Sequence, residues 1–386
     1  MPTVNLREFI AHARKEGHRK TAENLSEALT SGELKPQELS IRALAEALVP
    51  DGSEWVRSLD PRSNFGYVQE SSAVDTTSFA NITGQIVYTT IMQAYEQPEF
   101  VFSRVIPDQP TQFSGEKIAG IGQMGDKGES IGEGMPYPAV GVNEDYIETP
   151  ATTKRGFKVP VTKEAIFFDR TGLVLQRAAE VGNFLGLNKE KRLIDCVIGA
   201  TNNHKWKGTS YNTYQSSTPW VNVKTGNTLV DWGNVDGAEQ TLYGMLDPNT
   251  GEPITIMPKH IVVNRAYLNA AIRATAPVVQ SVTPGYATSG NPTESSFGVY
   301  RAAQYSILYS PLFNARQTAA SQDARYWYLG DVSKTVVYMQ NWPITVTQAP
   351  ANHPDEFERD VVTQFKVSER GVAAVMNPRY LIQNQN

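Results

Sequence analysis

The chain has 386 residues, 40% of them hydrophobic and 19% charged, with 35 Lys and Arg against 40 Asp and Glu for a net charge of -5. That is enough apolar material for a core, which excludes wholesale disorder, and the near balance of charge excludes a chain built to coat a phosphate backbone along its length. A single cysteine, Cys196, excludes an intramolecular disulfide framework and a cysteine-rich zinc site.

Residues 1–50 read as three short helices. Asn5 and Glu8 stand at capping-box spacing, and Leu6, Phe9, Ile10 and Ala13 form one apolar stripe. Thr21 suits the start of a second helix carrying Leu25, Ala28 and Leu29, and Pro36 the first turn of a third carrying Ile41, Leu44 and Leu48. Each stripe is narrow, so these helices must dock on something else. Residues 51–80 are polar and turn-rich and read as an extended arm. The segment 82–95 is apolar at helical spacing and ends near Pro98.

Residues 106–160 change character. Glycines fall at 115, 120, 122, 125, 128, 132, 134 and 141, large apolar residues are sparse, and the flanks alternate as strands do. The pattern predicts a long two-stranded hairpin with a flexible tip. An isolated ribbon of this kind is marginal in water, so it is expected to lie on another chain. A proline-free run follows over 173–199, predicting one helix of about 25 residues, or 40 Å at 1.5 Å per residue. Leu173, Phe184, Leu187, Ile194 and Ile198 mark its apolar stripe, and Lys189, Glu190, Lys191 and Arg192 are placed mostly off it. Gly182 and Gly186 each weaken a helix by about 1 kcal/mol relative to Ala, so close packing is their expected reason.

Residues 200–350 are mixed, with short apolar runs at 254–257, 261–263, 306–309 and 336–338, one helix at 265–275, and an exposed loop at 283–298. Residues 357–382 alternate again. Val361, Thr363, Phe365 and Val367 share a face, Glu369-Arg370-Gly371 reads as a turn, and the two sides form a final hairpin. No repeat recurs at a fixed period.

The survey for chemistry yields no catalytic, metal or cofactor site. Gly120-Ile121-Gly122-Gln123-Met124-Gly125 is a literal G-x-G-x-x-G, but the glycine-rich residues after it cannot open the helix that would hold a pyrophosphate. Asp247-Pro248-Asn249-Thr250-Gly251-Glu252 alternates oxygen ligands as a calcium loop does, yet lacks the acid beyond the glycine and reads as a turn. His353, Asp355, Glu356, Glu358 and Asp360 read as a solvated loop or an inter-subunit salt network. Cys196 reads as a buried inert thiol. The five histidines show no paired metal spacing. The charged N-terminus is expected to carry no secretory signal, and no run of about 18 apolar residues spans a membrane.

The order of parts resembles the major capsid protein of tailed double-stranded DNA phages, the HK97-like fold. Glu133-Gly134-Met135-Pro136 running into 154–166 is similar to the descending strand of that family's extended loop entering the spine helix, and 173–199 is similar to the spine helix itself. Residues 261–265 and 326–331 resemble axial-domain strands. Arg359-Asp360, Lys366, Glu369-Arg370-Gly371 and Asn377-Pro378-Arg379 resemble the closing peripheral strands. Together these cover about residues 80–386.

The resemblance implies an α+β chain. Its parts would be an N-terminal helical arm and linker at 1–80, an extended loop at 106–160 and an axial domain at 201–350. A peripheral domain would be assembled from 81–105, 161–200 and 351–386. It implies a structural subunit, not an enzyme, that forms hexamers and pentamers of an icosahedral shell around double-stranded DNA in the bacterial cytoplasm. Scaffold, portal and cement or decoration proteins are candidate partners, with no membrane. Many relatives begin with a cleaved scaffolding segment, whereas residues 1–50 are expected to be a retained arm that docks on neighbours or lines the interior. Loop charges are the candidate inter-subunit contacts: Lys117, Asp126, Lys127, Glu129, Glu133, Lys154 and Arg155. The lysine–asparagine cross-link of one branch is not expected here. Competing readings are an encapsulin-type compartment shell with protein cargo and an α/β enzyme.

Overall fold

The computed structural model describes residues 39–48, 52–59, 73–119, 145–247, 251–275, 305–349 and 358–386, with isolated positions between them. These form two compact units. The first comprises Met1–Pro98, Thr153–Lys189 and Trp342–Gly371, and the second Glu99–Thr152, Glu190–Asn341 and Val372–Asn386. The class is α+β, as expected. The unit boundaries fall away from the expected ones: the strand Thr153–Thr162 belongs to the first unit, and Asn377-Pro378-Arg379, expected with the peripheral strands, belongs to the second. Three elements pass from one unit into the other: the helix Thr171–Val197 and the strands Val336–Gln348 and Val361–Val375.

The core of the first unit gathers Ile82, Ile86, Val87 and Ile91 from the helix Ala73–Tyr95 and Val174, Leu175, Ala178 and Leu185 from the long helix. Val159, Val161, Phe365 and Val367 come from two antiparallel strands paired over ten residues. The two helices meet at Gly182, where a Cβ would run into the Ile91 carbonyl oxygen and the Ala94 methyl. Close packing is therefore the reason for this glycine, as the sequence predicts.

The arm expectation is corrected for its described part. Leu29, Ile41, Leu44, Ala45 and Val56 are buried in the chain's own first core, not left for a neighbour. Ser40 Oγ donates to Asp169 Oδ1 at 2.8 Å, the Ile41 N–H donates to Thr171 Oγ1 at 2.8 Å, and Arg42 Nη1 donates to the Phe167 carbonyl at 3.0 Å. These bonds fasten the helix Ile41–Leu48 beside the start of the long helix. Residues 51–80 are also not a plain arm, since they hold the helix Gly52–Ser58 and the first turns of Ala73–Tyr95.

Among the described residues, the two largest sheets lying wholly in the second unit have five and four strands. One has the strand order 306–308, 260–262, 327–330, 381–384, 223–224, parallel at both outer pairings and antiparallel at the two inner ones. The other is antiparallel throughout, in the order 117–119, 146–148, 204–206, 209–211. The base of the predicted hairpin is thus real, at Lys117–Ala119 against Tyr146–Glu148, but two further strands extend it. Its expected tip and the 283–298 loop lie outside the described residues. A helix unforeseen in sequence, Trp232–Tyr243, starts at a reciprocal cap in which Asp231 and Asn234 exchange bonds.

The long helix spans 27 residues without a break, and its predicted stripe holds at Ile194 and Ile198, both fully buried, but is wrong in two ways. Leu173 and Phe184 are 42% and 55% exposed, because the buried face is the opposite one, running through Val174, Ala178, Gly182, Leu185, Lys189 and Leu193. Lys189 and Glu190 lie on that face and are 3% and 0% exposed. Lys189 Nζ stands 5.7 Å from the centre of the Tyr95 ring. Glu190 accepts bonds from the Phe102 N–H (3.0 Å), the Ser103 N–H (2.9 Å) and Ser103 Oγ (2.8 Å). The short helix Val101–Val105 has no side-chain cap of its own, and Glu190 supplies one from a distant part of the chain. The final hairpin is also corrected. Glu369-Arg370-Gly371 is no turn but the middle of a continuous 15-residue strand, with Glu369 buried and its carboxylate 3.3 Å from the Tyr95 hydroxyl.

Gly182→Ala should destabilise the chain even though Ala favours a helix by about 1 kcal/mol, because overpacking against backbone costs about 1–3 kcal/mol. Gly172→Ala, where a Cβ meets nothing, should be neutral or stabilising; thermal melts of both variants check this. Burial pushes the Glu190 carboxyl above its ordinary value, against the bonds from Phe102 and Ser103. A raised folded-state value favours folding at low pH and loses that contribution as pH rises through it. The melting temperature of the wild type relative to Glu190→Gln should therefore fall as pH rises from the ordinary carboxyl range, about pH 4, through the raised value. Glu190→Ala should cost about 1–3 kcal/mol for each buried N–H left without a partner.

Candidate interaction surface

The expected contact residues divide between the two units. Lys117 lies in the second unit on the strand Lys117–Ala119, exposed, with Nζ 3.4 Å from Glu148 Oε1 and 4.8 Å from the Tyr146 ring centre. Lys205 Nζ approaches the other Glu148 oxygen at 3.7 Å. Pairs this exposed are worth at most about 1 kcal/mol each. Glu133 is exposed. Asp126, Lys127 and Glu129 lie outside the described residues, as does Gly120-Ile121-Gly122-Gln123-Met124-Gly125. Lys154 and Arg155 lie in the first unit on the strand Thr153–Thr162.

That strand and its partner build a surface that the sequence reading missed. Their register sets Lys158 directly opposite Lys366 and Lys154 directly opposite Arg370. Paired residues two and four positions along share a face, so all four cations lie on one face of the sheet, with Gly156 and Ser368 between them. It is the face away from Val159, Val161, Phe365 and Val367, which fill the core. Lys154, Lys158 and Lys366 are exposed and Arg370 is half-buried. Lys154 Nζ and the Arg370 guanidinium stand 6.0 and 5.5 Å from the centre of the Trp342 ring. Arg155, opposite Glu369 in the register, belongs to the other face. The four-residue spacing of Lys154 to Lys158 and Lys366 to Arg370 is visible in sequence. Only the pairing register shows that the two sets coincide.

The other sequence candidates resolve into structural roles. Cys196 is buried, accepts a bond from Asn203 Nδ2 at 3.3 Å, and has its thiol pushed up by burial. Asp247 is fully buried against Arg379, with Oδ1 2.7 Å from Nη1. Asp360 pairs with Lys163 at 3.1 Å. Residues 249–250 and 351–357 lie outside the described residues. Among the described residues no group of three or more His, Cys, Asp or Glu side chains is placed to hold a metal, and no helix is long and apolar enough to cross a membrane. A cleft of about 470 Å³ in the first unit is lined by Ser40, Thr90, Asp169, Thr171 and Gln176 among others. Ser40 and Thr171 both spend their hydroxyls on Asp169, so this cleft belongs to the docking of the arm.

A sequence model described as phage capsid protein matches residues 146–384. No curated protein matches the chain. Among solved structures, a chain of Mycobacterium phage Ogopogo is similar at 15% identity and a TM-score of 0.40, covering 74% of this chain and 92% of that one. The capsid of cyanophage P-SCSP1u is similar at 11% identity and a TM-score of 0.42, covering 73% and 86%. The holo-SrpI encapsulin complex from Synechococcus elongatus PCC 7942 is similar at 13% identity and a TM-score of 0.39, covering 75% and 87%.

Proposed function

The chain belongs to the phage capsid protein family and is a structural capsid protein, and from that premise we propose that it is the major head subunit, forming hexamers and pentamers of an icosahedral shell around double-stranded DNA. The observation that carries this reading is the extent of the family match, which takes in parts of both units. In this reading the first unit is the peripheral domain, the second holds the axial domain, and residues 120–144 are the tip of the extended loop. Assembly takes place in the cytoplasm of a bacterial host.

A closed shell repeats heterologous contacts around five- and six-fold axes. Arms and loops that lie over neighbours spread each copy's contacts over several chains, and weak pairwise energies then sum through avidity. Lys117, Asp126, Lys127, Glu129, Glu133, Lys154 and Arg155 supply charged contacts of that kind, each weak and screened by salt. The exposed Trp232 and Met257 of the second unit add large apolar side chains of the sort that anchor interfaces. A net charge of -5 keeps packed DNA from adhering to the wall.

The recombinant chain alone should form uniform closed particles by negative-stain microscopy and mass photometry. Deleting residues 122–135 should leave a soluble subunit that melts as the wild type does but forms no shell. Normal shells from the deletion would overturn the role of the loop. Enzyme cargo in place of DNA within particles purified from the native source would replace the head reading with that of a protein-filled compartment.

A further inference from the structure

We propose that His260 is a proton-operated switch in the second unit: neutral, it holds the turn 331–335 through the Val332 N–H, and protonated, it releases that bond and turns to Asp331. The inference does not depend on the shell reading. His260 begins the strand His260–Val262 and lies opposite Gly330 in an antiparallel register. From Gly330 the chain runs through Asp331 into the short helix Val332–Thr335, for which Asp331 supplies no side-chain cap. The Val332 N–H donates instead to His260 Nδ1 at 3.3 Å. A ring nitrogen that accepts carries no proton, so the imidazole is neutral with its hydrogen on Nε2.

The second partner already stands beside it. Asp331 Oδ1 is 3.9 Å from the same Nδ1. The Asp331 carboxylate is 1% exposed, accepts from Ser333 Oγ at 2.6 Å, and has its other oxygen 3.0 Å from Lys259 Nζ. Burial works against its charge, but Ser333 and Lys259 outweigh burial and hold the carboxyl below its ordinary value. It is therefore anionic wherever a histidine titrates. A proton taken from solvent enters the ring at Nδ1. The imidazolium then donates at both nitrogens, the Val332 N–H loses its acceptor, and a small rotation brings Nδ1–H to Asp331 Oδ1. One hydrogen bond is exchanged for one ion pair, which gives the site two states. The His260 side chain is 12% exposed, so water reaches the ring.

Among the described residues the charged groups acting on the ring are Asp331 and Lys259. Burial lowers the value of His260, and Asp331 opposes burial while Lys259 adds to it. The strand Ser306–Leu308, paired with His260 on its other side, carries no charge. Tyr328 on the strand Trp327–Gly330 donates its hydroxyl to Gln322 and is pushed up by burial, so it stays neutral. Lys334 lies over the Tyr380 ring at 5.1 Å. The turn matters beyond its size. The Asp331 N–H donates to the Tyr380 carbonyl, and the Thr335 carbonyl accepts from the Met376 and Asn377 N–H groups. It fastens the residues between the strands Val361–Val375 and Leu381–Asn384.

The test compares the full wild-type chain with His260→Asn, whose side-chain oxygen accepts from Val332 but cannot titrate. A folded-state value below the ordinary one of about 6.5 means that the unfolded chain takes the proton first, so stability is lost as pH falls through that range. The wild-type melting temperature, relative to His260→Asn, should fall by about 2 °C or more between about pH 7.5 and about pH 5. Taking the difference removes His204, which is buried and shifted in the same sense. Asp331→Asn takes away the second partner and should deepen the loss. Nitrogen magnetic resonance of the histidine-labelled chain reads the ring itself, with His260 assigned by its absence from His260→Asn or His260→Gln. It should show a bare Nδ1 at about pH 8 and protons on both nitrogens as the pH falls. Melts of wild type and His260→Asn that track each other across the range would overturn the proposal. So would a proton on Nδ1 at high pH, a result that stands even where the variants melt early.

Discussion

The long helix supplies buried residues to two cores. Val174, Leu175, Ala178 and Leu185 pack in the first unit, and Leu193, Ile194 and Val197 pack with Phe102, Ile106, Phe313 and Tyr328 in the second. At a rotation of about 100° per residue a line of buried positions spaced by four drifts around the helix, and a step of three turns it back. Val174, Ala178, Gly182, Leu185, Lys189, Leu193 and Val197 are spaced by four, four, three, four, four and four residues. Two of these positions are exceptional for a buried stripe. Gly182 is there because the backbone of Ile91 approaches it too closely for any side chain. Lys189 sits at the passage from one unit to the next, followed by Glu190, and both find partners: the Tyr95 ring for one, the open N-terminus of the 101–105 helix for the other.

The strand Val361–Val375 meets the same demand with a period of two. Val361, Thr363, Phe365 and Val367 face the first core, while Ala373 and Val375 face the second. Glu369 stands between the two groups, buried like its neighbours on that face. Helix and strand thus share a device: apolar residues fill each core, and a paired carboxylate marks where the chain leaves one and enters the other. With both cores closed within a single copy, what remains for neighbours is surface. Among the described residues, Trp232, Met257 and the four-cation sheet face lie on that surface.

Much of this is legible in the sequence, and the failures have physical causes. The long helix and the alternation of its preceding strand follow from local pattern, and a glycine inside a long helix already signals close packing, although the partner at Gly182, Ile91, is about 90 residues away in sequence. The wrong stripe arose because Leu173 and Phe184 are large and apolar yet face outward, while Lys189 and Glu190 are charged yet buried. Hydrophobicity alone cannot foresee a lysine on a tyrosine ring or a glutamate capping a helix nearly 90 residues away. Glu369-Arg370-Gly371 looks like a turn by composition, but pairing with 153–155 holds it extended. The cationic face escaped notice for a related reason: four cations in two segments some 200 residues apart become one surface only through register. The family was legible in the order of parts and not in any single motif, and the matched span of 146–384 covers most of the segments that carried the likeness.

Amide hydrogen exchange across the long helix, followed by mass spectrometry on the unassembled chain, tests most directly whether one helix serves both cores. The account predicts slow exchange on both sides of Lys189, in peptides covering 174–188 and 190–197 alike, and faster exchange throughout 174–188 in a Gly182→Leu variant that forces Ile91 away. Rapid exchange over 174–188 in the wild type, with protection confined to 190–197, would contradict it.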